Sequence, residues 1–218
     1  LEGTALLERI VPAGVVTSEA FDDSHDIVLF PAEAEIVSRS VDKRRREFAT
    51  ARWCAREALA GLGLPPSPIL PGEHGAPRWP DGVAGAITHC AGYRGVALAR
   101  TSDVAMLGLD AEPNGPLPDG VLDAIALPPE RVWVRELLVA EPKVRWDRLL
   151  FSMKESVYKA WFPATGVRLD FEDAFITVDS AASTFSAKIL VPGRVRDVLG
   201  GRWLAEDGLL VTAIVVPR

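Results

Sequence analysis

Between residues 42 and 62 apolar side chains return every three or four positions, at Phe48, Ala51, Ala55, Leu59 and Leu62. That spacing lines one face of a helix. Gly61, Gly63, Pro65 and Pro66 then stop the pattern, because neither residue type sustains a helix interior. The stretch Pro71-Gly72-Glu73-His74-Gly75-Ala76-Pro77 is turn-rich, and the apolar alternation that follows predicts strands over 84–89 and 95–99 around an Ala91-Gly92-Tyr93 turn. A further strand is expected over 104–112. It ends at Pro113-Asn114-Gly115-Pro116, the strongest break in the chain. The second half repeats the outline, with a helix over 146–161, whose stripe is Leu150, Met153, Val157 and Trp161, and strand-like runs over 174–178, 184–190 and 209–216. Residues 116–145, with Pro128, Pro129 and Pro142, read as a short helix with loops. This order predicts an α+β protein with mostly antiparallel sheets and two lobes, 1–112 and 113–218.

Charge narrows the partners. Against 24 basic residues stand 30 acidic ones, a net charge of −6 on 218 residues, the opposite of the basic footprint of a nucleic-acid binder. No apolar run approaches the ~18 residues of a membrane span, and the start, which is Leu1 rather than Met as in a trimmed chain, has no basic segment followed by an apolar core. Cys54 and Cys90 have neither a CxxC nor a zinc spacing. Free thiols in a reducing cytoplasm are the expectation.

Several segments carry candidate chemistry. In Gly108-Leu109-Asp110-Ala111-Glu112 a strand would turn Asp110 and Glu112 to one face and Leu107, Leu109 and Ala111 to the other. Adjacent carboxylates raise each other's pKa unless a cation lies between them, and their hard oxygens suit Mg²⁺; a merely solvated strand edge has the same pattern. On the second helix Ser152, Glu155 and Lys159 share a face, with Glu155 and Lys159 as an i, i+4 pair that is either a surface ion pair or part of a site. Lysine is scarce, five beside 19 arginines, yet Lys154 and Lys159 fall within six residues of each other. A compact ammonium that a guanidinium cannot replace would explain the exception. Thr88-His89 ends a strand, where a histidine serves structure or function. The run Lys43-Arg44-Arg45-Arg46 opens a helix that continues through Arg52 and Arg56; it is either a solvated face or, since cations there oppose the helix macrodipole, an anion site. Arg44 and Arg52, eight positions apart, are about 80° apart around the helix and can lean toward one site. Gly72 to Pro77 either forms an ordinary turn or lets backbone amides approach a ligand.

Taken together and in order, the arginine-rich helix, the GxxGxP loop, Thr-His, GxDxE and KExxYKAW resemble the 4′-phosphopantetheinyl transferases of the two-lobed Sfp type. The likeness runs from about Val41 to Asp173, and Trp79-Pro80-Asp81-Gly82 with Leu150-Phe151-Ser152-Met153-Lys154-Glu155 is similar to the bacterial subgroup that includes the enterobactin-synthetase component. The resemblance implies two similar α/β lobes related by a pseudo-twofold axis, with coenzyme A between them, and transfer of its phosphopantetheine arm to a serine of an apo acyl or peptidyl carrier protein. It implies Mg²⁺ on Asp110, Glu112 and Glu155, with Glu155 also as general base. Lys159 would stand at the pyrophosphate, Lys154 would add charge there, and Thr88 would lie near the phosphates. Arg44, Arg52 and His89 would hold the 3′-phosphate, and His74, Gly75 and Pro77 would lie beside the adenine. Some relatives carry lysine where this chain has Pro71, so that cation is missing, and His74 is the available substitute. A monomer holding the whole site is implied, with the carrier docking on part of 113–133. Two other readings use the same residues: a Mg²⁺-dependent hydrolase of coenzyme A or nucleotides, and a binding module without chemistry, against which the joint presence of Asp110, Glu112 and Glu155 argues.

Overall fold

The computed structural model describes residues 5–24, 26–191 and 197–218. Its helices are α1 (Pro31–Ile36), α2 (Asp42–Gly61), α3 (Val121–Ile125), α4 (Pro128–Ala140) and α5 (Trp146–Thr165). The strands are β1 (Val16–Ala20), β2 (Leu70–Pro71), β3 (Pro77–Arg78), β4 (Val83–Cys90), β5 (Tyr93–Arg100), β6 (Val104–Pro113), β7 (Ala174–Asp179), β8 (Thr184–Ile189), β9 (Val198–Glu206) and β10 (Leu209–Pro217). An antiparallel three-stranded sheet has the order β1-β5-β4, an antiparallel five-stranded sheet the order β6-β10-β9-β8-β7, and β2 pairs with β3. The α+β class expected from the periodicities is the class observed.

Each sheet carries one 20-residue helix. On α2, Cys54, Ala55, Ala58 and Leu59 are buried against Val96 and Leu98 of β5. On α5, Trp146, Leu150, Met153, Val157 and Trp161 enter a larger core with Ile176, Phe185 and Ile214. The α5 stripe is the one the sequence predicts, whereas α2 shares Ala55 and Leu59 with its predicted stripe and turns Phe48 and Ala51 toward a cleft outside that core; α5 runs on past the expected end, through Pro163, to a left-handed Gly166. Within the stretch expected to be a short helix with loops, Pro128 and Pro129 open the 13-residue α4, where a missing N–H costs nothing because first-turn donors have no intrahelical partner. Four strands lie outside the expected ones: β1, β9 and the two-residue β2 and β3. β9 contains Gly200 and Gly201, and a Cβ on Gly201 would lie 2.3 Å from the Phe185 ring.

The strand β6 is hydrogen bonded to β10 along its length, so the GxDxE segment belongs to the sheet built from the second half of the chain. Its other edge faces β4, and Thr88 Oγ1 accepts a 2.8 Å hydrogen bond from Ala111 N, joining the two sheets by a side chain where no ladder runs. Across β6 the side chains divide as alternation requires. Leu107, Leu109 and Ala111 enter a core completed by Leu6, Leu7 and Ile10 of the N-terminal segment, and Gly108 and Asp110 face α5. Gly108 is what allows the approach: a Cβ there would stand 2.1 Å from Ser156 O and 2.5 Å from Ala160 N, both helix backbone. Below this contact, Ser152 Oγ and Thr212 Oγ1 lie 3.0 Å apart, and Thr212 Oγ1 also donates to Ser152 O at 3.0 Å, fastening α5 to β10.

Backbone cannot yield as a side chain can, so Gly108→Ala is expected to cost at least the ~1–3 kcal/mol typical of core overpacking. Gly115→Ala has open space around its Cβ and is expected to stay within about 0.5 kcal/mol of wild type. Urea unfolding of both variants checks this; equal midpoints would show that β6 does not depend on the missing Cβ.

Candidate active site

Because Gly108 lets α5 lie against β6, the next outward-facing residue of the strand meets the helix. Asp110 is buried, and its Oδ1 accepts from Lys159 Nζ at 2.7 Å and from Thr88 Oγ1 at 3.5 Å. Its Oδ2 is buried with no hydrogen-bond partner. Lys159 therefore pairs with the strand and not with Glu155 one turn before it, so the surface-pair reading of that i, i+4 spacing does not hold. Two residues further along β6, Glu112 accepts from Arg148 Nη1 of α5 at 3.0 Å. Burial, then the Asp110 charge, hold the Glu112 carboxyl above its usual range against the opposing pull of Arg148. The same two causes raise Glu155, with Lys159 opposing.

Three carboxylates thus share a field with too little positive charge. Among the described residues, however, no three of His, Cys, Asp and Glu are grouped closely enough to hold a metal ion by themselves. That suits Mg²⁺, which commonly takes one or two carboxylates and completes its shell with water and substrate phosphate. The unpartnered Asp110 Oδ2 and the raised Glu112 and Glu155 are a donor set that a divalent cation would relieve.

The expected phosphate-binding residues also come together. A cleft of about 460 Å³ is lined by Arg44, Arg52, Pro71, Gly75, Pro77 and His89. Arg44 is half exposed, with Glu47 at 3.9 Å. Arg52 is buried: its Nε donates to Ile69 O at 2.8 Å, its guanidinium lies 4.0 Å over the Phe48 ring, and burial brings its pKa down to about 10. His89 is open to the cleft on one side, and the protein packed on its other sides, followed by the charges of Arg44, Lys159 and Arg94, lowers its pKa. Its neutral form is favoured.

The loop between β2 and β3 divides this cleft from its continuation. His74 adopts a left-handed φ of 51°, uncommon for a residue with a Cβ, and its ring meets Phe162 of α5 edge-on at 5.2 Å. Phe162 in turn stacks on Tyr158 at 5.6 Å. Under the loop a second hollow of about 230 Å³ reaches Glu155 and Lys159, and a third of about 400 Å³ extends past Glu155 and Tyr158 to Arg168, Asp170 and Phe171. Gly75 and Pro77 are common to the first two, His74 and Glu155 to the last two. Through these shared walls the three form one groove, with Arg44 and Arg52 at one end and Glu155 and Lys159 at its middle.

Two expected residues sit differently. Lys154 is almost wholly buried, with Nζ donating to Glu130 Oε2 at 2.8 Å, Phe171 O at 2.7 Å and Ala174 O at 2.9 Å. All three ammonium donors are engaged, so it brings no free charge to the groove and lines it with its aliphatic stem. Thr88 serves the carboxylates and the β4–β6 junction. Sequence reasoning missed Arg148, Glu130, Tyr158 and Arg168, whose partners are distant in sequence or whose role is to line a wall. Only the i, i+7 relation of Arg148 to Glu155 on one helix hinted at the first.

Comparison with known proteins agrees with the geometry. Residues 32–99 match the family model "4′-phosphopantetheinyl transferase N-terminal domain" and 106–211 the "4′-phosphopantetheinyl transferase superfamily". The chain is 56% identical over 219 residues to the 4′-phosphopantetheinyl transferase Svp of Streptomyces mobaraensis, covering 97% of this chain and 89% of that protein. To the 4′-phosphopantetheinyl transferase Npt of Nocardia iowensis it is 46% identical, covering 96% and 99%. With enterobactin synthase component D of Salmonella typhimurium it shares 31% identity, covering 87% and 79%.

If Lys154 is a buried structural cation, Lys154→Met leaves Glu130 charged and unpaired, and should cost about 3–5 kcal/mol of folding stability. A free, groove-facing lysine would cost almost nothing on removal. Denaturant unfolding distinguishes the two, with unchanged stability contradicting the buried role.

Proposed function

Because the chain belongs to the 4′-phosphopantetheinyl transferase superfamily, we propose that it moves the phosphopantetheine arm of coenzyme A onto a serine of an apo acyl or peptidyl carrier protein, releasing adenosine 3′,5′-bisphosphate. The observation that carries the reading is the groove, which leads from an arginine-lined cleft past Lys159, paired with the buried Asp110, and Glu155 into the hollow beyond. A ligand with a phosphate monoester at one end, a pyrophosphate in the middle and a flexible arm matches that sequence of environments. Arg44, Arg52 and His89 would take the 3′-phosphate, and the His74, Gly75 and Pro77 loop the adenine side. The arm would lie in the hollow beyond Glu155.

Asp110, Glu112 and Glu155 would hold Mg²⁺, which offsets pyrophosphate charge when bound. The chain's own groups carry the proton traffic. Serine Oγ forms the new bond to the phosphorus that bears the pantetheine, and its hydroxyl proton passes to Glu155, directly or through water. Glu155 lines both of the hollows that this hydroxyl would enter, which places a carboxylate within its reach. The bond from that phosphorus to the bridging oxygen breaks, its electron pair staying on the adenosine bisphosphate, where Lys159 would supply charge and a proton.

The carrier would dock along 113–133, where Val132 is exposed and where Arg148 fixes the chain by donating to Gly115 O and Pro116 O. Among the described residues no helix is long and apolar enough to cross a membrane. We take the protein as a cytoplasmic monomer with lobes 1–112 and 113–218, related by a pseudo-twofold axis, the first lending β6 to the sheet of the second.

Incubated with coenzyme A and Mg²⁺, apo carriers are expected to gain about 340 Da each by intact mass, and nothing in excess chelator. Bisphosphate released without a carrier would make the protein a hydrolase instead. Glu155→Gln should lower the rate by at least about 10²-fold; turnover like wild type would remove Glu155 from the mechanism. His89, followed by NMR with His89→Gln for assignment, should titrate below the ordinary 6.5 in the free protein and rise when adenosine 3′,5′-bisphosphate binds, because a dianion favours imidazolium. An unmoved pKa would place the phosphate elsewhere.

A further inference from the structure

A carboxylate that never touches the groove governs its cationic end. Glu33, on α1, is fully buried, and donors surround both of its oxygens. Oε2 accepts from Phe30 N at 3.1 Å and from Arg56 Nη2; Oε1 accepts from Ile69 N at 2.9 Å and lies 3.8 Å from Arg52 Nε. Ile69 is thereby gripped on both sides, its N–H by Glu33 and its carbonyl by Arg52. Arg52 and Arg56 lie one turn apart on α2, Arg52 over the Phe48 ring and Arg56 over the Phe30 ring. Arg56 disfavours the charge on Arg52, and among the described residues Glu33 is the carboxylate paired with both.

The second half of the chain repeats the device. Glu130 stands at the same third position of α4, after Leu127-Pro128, as Glu33 does after Phe30-Pro31. Its oxygens accept from Leu127 N at 2.7 Å, from a strand amide, Ile176 N, at 2.7 Å, and from a cation of the following long helix, Lys154. The difference lies in the balance. Lys154 is one cation for one carboxylate and is spent on carbonyls, whereas Glu33 has two arginines. One positive charge is therefore left over, on a guanidinium that lines the cleft.

We propose that Glu33 is a positioning residue for phosphate recognition: by holding Arg52 against Ile69 and Phe48 it presents a pre-oriented guanidinium to a phosphate monoester in the cleft. This rests on the coenzyme A reading of that cleft. Because every group around Glu33 is a donor, glutamine cannot replace it without setting an NH₂ against another N–H, and Arg52 then loses both its counter-charge and its orientation.

The test is calorimetric binding of coenzyme A and dephospho-coenzyme A to wild type and to Glu33→Gln, with Glu130→Gln as the matched control. Wild type should prefer coenzyme A by tenfold or more; without that preference, the assignment of the cleft fails before Glu33 is in question. Glu33→Gln should reduce the preference to within about threefold, by weakening coenzyme A while dephospho-coenzyme A changes less than twofold. Glu130→Gln should keep the wild-type ratio even if it melts earlier. A Glu33→Gln protein that weakens both ligands equally, or whose preference rises, overturns the inference, the first outcome making Glu33 structural and the second making it only a counter-charge. If Glu33→Gln does not fold, Glu33→Asp, which keeps the charge and withdraws it by one methylene, should still lower the preference at least threefold, and an unchanged ratio there overturns it equally.

Discussion

The contact between β6 and α5 is the constraint on which the site depends. A strand and a helix normally stand apart by the thickness of two side-chain layers, yet at Gly108 the strand has no side chain and the helix backbone, at Ser156 O and Ala160 N, fills the space. Asp110, two residues on, therefore reaches Lys159 across a distance that a Cβ would have widened. The same strand is hydrogen bonded to β10 and tied to β4 through Thr88. It is the seam at which both sheets and the long helix of the second meet, and Lys159, paired there with Asp110, lines the hollow alongside.

Charge is arranged in three small accounts. The protein is acidic overall, but its cationic side chains near the groove are held by buried carboxylates in different proportions: Glu33 with two arginines, Glu130 with one lysine, Asp110 with Lys159. Burial makes an unbalanced charge costly, so the surplus arginine at one end and the surplus carboxylates at the middle mark where ligand charges of opposite sign belong. An anion is invited to the arginine cleft and a cation to the Asp110 Oδ2 side. A nucleotide-like ligand accompanied by a divalent ion satisfies both at once.

Local periodicity made the central elements legible. The stripes of α2 and α5 are strong because each packs one face on a core, and β5 and β10, buried on both faces, stand out as nearly unbroken apolar runs. What could not be read has a physical reason in each case. Pro128 and Pro129 are breakers everywhere but in a first turn, where they actually lie, and Gly200 and Gly201 suit a loop as well as they suit a strand under an aromatic ring. In the site, Asp110, Glu112, Glu155 and Lys159 could be singled out because motif spacing puts them on defined faces. The partners that set their states could not: Arg148 is 36 residues from Glu112, and Glu33 is 36 from Ile69. Of the two readings of the Glu155–Lys159 spacing the ion pair fails, since an i, i+4 rule knows nothing of a strand lying against the helix.

The central claim is that Asp110, Glu112 and Glu155 form an incomplete cation site which the pyrophosphate of coenzyme A completes. Mn²⁺, which can be counted by the paramagnetic resonance of the free ion, tests it directly. Titrated into the protein alone, Mn²⁺ should remain largely free at concentrations where, with saturating coenzyme A, about one ion per chain disappears from the free signal, and Asp110→Asn should abolish that uptake. Tight binding of Mn²⁺ without coenzyme A, or uptake that survives in Asp110→Asn, would contradict the account.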